Sequence, residues 1–159
     1  MMKGGSLRSA GGSDVNDLER ASKARLEDAE TLFASGRYSS SITMGIYALE
    51  IRLKVVICRR LDLQELPKFF QTHNLEELLI ASGLSQKILH VKKPRNVSKN
   101  WDALVIRFSQ LNDLRYKDDP KFDKIDAEAL LAQLRGNPGG VLQWLEKQIA
   151  SILRSTSRN

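Results

Sequence analysis

One cysteine, two histidines and four prolines are all that 159 residues contain of these types, and each scarcity closes off a class of protein. Cys58 alone rules out an intramolecular disulfide, and its expected role is that of a small buried apolar residue. That usage is compatible with a reducing, cytoplasmic setting, which is the expected location. His73 and His90 lie on separate segments, and no two histidines bracket a glutamate on one helix, so neither a metal nor a cofactor is expected. No uninterrupted apolar run approaches the roughly 18 residues that a membrane-spanning helix needs. No stretch alternates apolar and polar residues as a half-buried strand does. A phosphate-cradling loop is also missing, because Gly139 and Gly140 follow Pro138 without the lysine and hydroxyl that such loops use.

What remains is helical. From Ile42 to Val56 the residues Ile42, Ile46, Leu49, Leu53 and Val56 recur at spacings of four and three, one face of an α-helix. A second apolar row, Met44, Tyr47, Ala48, Ile51, Val55 and Cys58, runs beside it. A helix apolar around so much of its circumference belongs in the middle of a bundle. The expected fold is therefore all-α, an antiparallel up-and-down bundle of about five to six helices around a long central second helix. One domain is expected over 14–153, flanked by a polar tail at 154–159 and a Gly/Ser-rich tail at 1–13 that lacks the apolar core of a secretory signal.

The elements are expected as follows. Ser13 or Asp14 caps a first helix that Gly36 ends, and the central helix spans Arg37 to Leu61. Pro67 breaks the pattern, with Phe69 and Phe70 folding back on the bundle. Asn74, with Glu77 three residues on, reads as a capping box for a short helix closed by Gly83. A short turn of helix can begin at Ser85. Ser98 or Asn100 caps a fourth helix whose inward face is Trp101, Leu104, Val105, Phe108 and Leu111. The fifth starts at Asp126 with an Ile125–Leu130 staple, and the last opens at Asn137–Pro138 and frays from Arg154.

Charge marks the candidate sites. Of the formal +6, Lys3 and Arg8 in the tail account for two. From Ser85 to Asn100 stand Lys87, Lys92, Lys93, Arg95 and Lys99 with no acid among them, either a solvated loop or a phosphate-contacting run. Arg115 and Tyr116 are a candidate phosphate-contacting and stacking pair. Glu50 lies between the two apolar rows, and a buried carboxylate requires a partner; Lys54 is one turn away, and Arg107 or Arg115 is in reach from the fourth helix. His73, beside a helix cap, is the one weak catalytic candidate.

Several separated motifs in order resemble the HEPN family of prokaryotic helical domains over roughly residues 26 to 116. They are the Gly36-Arg37-Tyr38 turn, the pattern of Tyr47, Ala48, Glu50, Leu53 and Lys54, the Thr72-His73-Asn74-Leu75 helix start, and the Arg115-Tyr116 pair. The resemblance implies a helical bundle, often a homodimer, that works with a small nucleotidyltransferase partner in toxin–antitoxin or phage-defence systems. Many such domains are metal-independent endoribonucleases carrying an arginine, four to six residues, and a histidine. Here the nearest arginine upstream of either histidine is Arg60, too far from both, so the resemblance implies a binding module. A ribonuclease with displaced groups such as His73 is the alternative. Ala29, Leu32, Phe33, Gly36 and Tyr38 also resemble a tetratricopeptide hairpin, a peptide scaffold, but that fold repeats about every 34 residues and no second copy is present.

Overall fold

The computed structural model describes residues 13–89, 95–108 and 122–158, and within them the chain is a helical bundle. Helix α1 (Val15–Ala34) and helix α2 (Tyr38–Arg60) form an antiparallel hairpin. Asp14 takes the cap, its side chain accepting from the amides of Asn16 and Asp17. At the other end Gly36 adopts φ 75°, a left-handed turn open to glycine, and Arg37 rather than a helical residue precedes α2. Helices α3 (Leu75–Ala81), α6 (Lys124–Arg135) and α7 (Val141–Thr156) pack on α2, α5 (Asn96–Phe108) packs on α6 and α7, and α4 (Ser85–Ile88) on α5. The first apolar row of α2 is absorbed by this packing, with Ile42, Leu49, Leu53 and Val56 fully buried, whereas in the second row Ala48, Val55 and Cys58 are buried and Met44, Tyr47 and Ile51 only partly.

Several local expectations are corrected by the backbone. Ser13–Asp14 pair with Glu65–Leu66 as a minimal antiparallel strand, two residues too short to show alternation. Phe70 packs on the core, but Phe69 is 77% exposed, because the 3-10 turn at Lys68–Phe70 cannot bury two consecutive rings on one side. Asn74 does cap α3, yet Glu77 does not return to its amide. The Thr72 hydroxyl stands between them, accepting from Asn74 N–H at 3.1 Å and donating to Glu77 at 2.7 Å. Helix α5 starts at Asn96: the Arg95 carbonyl accepts its first bond from Lys99, Ser98 is buried, and Asn100 donates to the Gly139 carbonyl instead of capping. Helix α6 starts before Asp126, since Asp123 caps it and Asp126 closes a capping box as the third residue. That turn points Ile125 outward, 74% exposed, so no staple forms. Gly139 has φ 94°, incompatible with a right-handed helix, so α7 begins only after it and Pro138 sits in the turn, following a cis peptide bond. The C-terminal helix stays intact through Thr156, past Arg154.

Candidate functional site

Two side cavities carry the polar chemistry. The first, about 430 Å³, opens between α2, the Thr72–Asn74 segment and α5. Its floor is apolar, with Ile46, Leu75, Val105 and Phe108, and Glu50 projects from α2 into its wall. Helical spacing places Lys54 one turn on, and its Nζ donates to Glu50 Oε1 at 2.7 Å. His73 Nδ1 meets the same oxygen at 3.0 Å. A carboxylate only accepts, so Nδ1 carries the proton and Nε2 is the open face of the ring. The Glu50 and Lys54 side chains are 7% and 9% exposed, and His73 is 49% exposed. The expectation of a buried, partnered Glu50 thus meets Lys54 and, in addition, His73.

Arg107 is not part of this cluster. It lies on the outer face of α5, donates to Asp126 Oδ1 from Nη2 at 3.0 Å and from Nε at 3.3 Å, and stacks over the Phe122 ring at 5.4 Å. The buried residues of α5, Trp101, Leu104 and Phe108, take the side that faces the bundle, which leaves Arg107 on the other side of the helix. Burial is the largest single influence and raises the Asp126 carboxyl, but the Asp123 amide and Arg107 together outweigh it and hold the group below its usual value.

The second cavity, about 440 Å³, lies between the start of α5, the 136–140 turn and α7. Arg95 and Lys147 both line it, together with Trp144 and Gln143. Gly140, which precedes α7 without a side-chain cap, also lines it. Lys87 reaches α7 as well, donating to Gln148 at 3.1 Å, and Lys99 is exposed on α5. The basic run is thereby only partly gathered: Arg95 and Lys87 converge on α7, whereas Lys92, Lys93, Arg115 and Tyr116 lie outside the described residues. His90 and Leu111 do too.

Sequence reasoning missed two charged groups. Lys147 is remote in the chain and belongs to a different helix, so no run marks it. Arg52 interrupts the apolar rows of α2 and is buried, with Glu19 of α1 and Glu146 of α7 at 3.7 and 3.8 Å. Its conflict with the surrounding apolar pattern was the available signal. Burial pushes the Cys58 thiol up, partly offset by the Arg59 charge, so it stays a neutral core residue. Among the described residues no helix is long and apolar enough to cross a membrane, and no cluster of three or more His, Cys, Asp or Glu is arranged to hold a metal ion.

A helical hairpin wrapped by shorter helices, with a buried ion pair in one side cavity and two basic residues lining another, defines a small, mostly helical bundle domain. The chain belongs to the HEPN domain family, whose sequence profile matches residues 15–147, a wider span than the motifs alone cover. Comparison with curated proteins and with solved structures gave no match.

Proposed function

We propose that this HEPN domain is a binding and interaction module, one component of a two-protein system of the toxin–antitoxin or phage-defence type with a nucleotidyltransferase-type partner. In this reading it works in the cytoplasm and binds RNA or nucleotide phosphates weakly. The observation that carries the phosphate-binding part is the second cavity, which Arg95 and Lys147 line together with Gly140 at the start of α7. Cations and a helix start favour the same charge, and phosphate is the common biological group that brings it. Fluorescence anisotropy with single-stranded RNA across a salt series tests it. Each phosphate neutralised contributes about −0.7 to the logarithmic slope, so Arg95→Ala with Lys147→Ala should flatten it by about 1.4. The triple change Lys92→Ala, Lys93→Ala, Arg95→Ala should also weaken binding. An affinity indifferent to salt and to both variants overturns the reading.

Homodimerisation is part of the proposal. Trp101 is covered within the bundle, whereas Ile106 and Ile125, the residues preceding Arg107 and Asp126, stand exposed. Light scattering at micromolar concentration should give about twice 17.9 kDa, and a constant 17.9 kDa refutes it.

A ribonuclease reading has one observation in its favour, the Glu50 bond that orients His73 and leaves Nε2 free for proton transfer. Against it stand the Glu50 and Glu76 carboxylates in the same wall, which repel a phosphodiester. Loss of metal-independent RNA cleavage in His73→Ala, measured against a cleaving parent, would establish the enzyme instead.

A further inference from the structure

We infer that the Glu50–His73 cavity is a binding site for a small organic cation, a primary ammonium or guanidinium group on a short apolar stem. The inference is independent of the phosphate reading, since the two cavities share no lining residue.

The polar groups around this cavity offer acceptors in excess. Two of the donors that reach Glu50, Lys54 Nζ and His73 Nδ1, converge on Oε1. A carboxylate has about four lone-pair sites, more than these two donors use. His73, with Nδ1–H committed to Glu50, presents Nε2 as a second acceptor. Glu76 adds a further carboxylate to the wall. The donors that would welcome an anion are engaged elsewhere: the Glu76 and Glu77 amides donate to Asn74 Oδ1, and the Thr72 hydroxyl donates to Glu77.

Charge points the same way. Among the described residues, two carboxylates, Glu50 and Glu76, line this cavity against the single Lys54 ammonium, on a chain whose formal charge is +6. The Tyr47 and Phe108 rings contribute π surface, which attracts ammonium and guanidinium groups. Ile46 and Val105 line the remainder with hydrocarbon, suited to a short aliphatic stem. A cavity of about 430 Å³ falls in the size range of small-ligand sites.

The test is isothermal titration calorimetry of the full chain with n-butylammonium and n-butylguanidinium, with n-butanol and butyrate as neutral and anionic controls. Both cations should bind saturably and both controls should not. Glu50→Gln should weaken the cations roughly tenfold, the scale of one charge-assisted hydrogen bond. Because that change also disturbs Lys54, Val105→Phe provides the second variant: it fills the cavity without altering a charge and should abolish binding. In the unaltered protein, the His73 ring resonances should shift on addition of butylammonium and stay still with butanol. An acetylarginine methylamide arm separates sources: tighter binding than butylguanidinium assigns a protein side chain, weaker binding a free amine, and both support the site. Equal binding of butanol, preference for butyrate, or cation binding that survives Val105→Phe overturns the inference.

Discussion

Removing Glu50 should be among the most damaging single changes in this domain. In Glu50→Ala the Lys54 ammonium, 9% exposed and 2.7 Å from the carboxylate, loses its carboxylate partner and stays in the bundle interior. Breaking a buried ion pair from one side costs about 3–5 kcal/mol, because the stranded charge cannot recover its hydration. Loss of the His73 bond adds about 1 kcal/mol or less, since that ring is half in water. A total near 4 kcal/mol is a large share of the roughly 5–15 kcal/mol that holds a domain of this size together. Replacing both members with apolar residues of similar volume, Glu50→Leu with Lys54→Met, removes the stranded charge and should restore stability to within about 1 kcal/mol of the parent. Urea unfolding of the parent, both single variants and the double variant gives the coupling directly, provided the slopes agree. Two results refute the reasoning: a Glu50→Ala loss below about 0.5 kcal/mol, or a double variant that costs the sum of the singles.

Gly45→Ala should destabilise, although alanine is the better helix former. The added Cβ would lie 2.5 Å from Leu130 Cδ2 and 3.1 Å from Leu134 Cδ1, both fully buried, and overpacking of about 1–3 kcal/mol exceeds the ~1 kcal/mol gained in propensity. Leu130→Ala in the same chain should relieve the clash, and strict additivity of the two would argue against it. Cys58 should resist iodoacetamide in the native protein and react on unfolding, as a buried thiol with a raised pKa must; prompt native labelling contradicts its placement. Asp126 has a lowered folded pKa, so its contribution is present above the unfolded value and fades as pH falls through the folded one. The stability gap between parent and Asp126→Asn should be constant above about pH 5 and shrink below about pH 4, and a gap independent of pH rejects the Arg107 pairing.

Helix existence was legible from apolar spacing, because that spacing is a property of the chain itself: α2 carries its buried face in the expected row, Ile42, Ile46, Leu49, Leu53 and Val56. Glu50 and Lys54 were legible for the same reason, one turn apart on one helix. Helix starts were less so where two capping residues stood three apart. Asp123 and Asp126 can each cap alone, and only the folded turn decides that the first caps and the second closes the box. Thr72 between Asn74 and Glu77 is a similar case, a hydroxyl relay that no two-residue motif describes. Groups joined across distant segments left no trace in the sequence. Lys147 beside Arg95 and Arg107 beside Asp126 depend on how α5 is rotated and where the 136–140 turn lies. His73 had a signal, its position just ahead of a helix cap, but the partner that gives it chemistry lies 23 positions away.

Two hydroxyls in the hairpin set how this domain can move. Ser22 of α1 donates to the Ala48 carbonyl of α2 at 2.8 Å, and Ser41 of α2 donates to the Ala29 carbonyl of α1 at 2.7 Å. The two rivets lie at different heights and run in opposite directions, so sliding either helix along the other, or rolling it, breaks both at once. The hairpin is therefore a beam that passes load on rather than yielding to it. Helix α3 leans mainly on α2, and α5 on α6 and α7, so the two walls of the Glu50 cavity hang from different supports. A load applied by a ligand or a partner is taken up at that seam, between His73 on one side and Phe108 on the other, while the beam beneath keeps its shape.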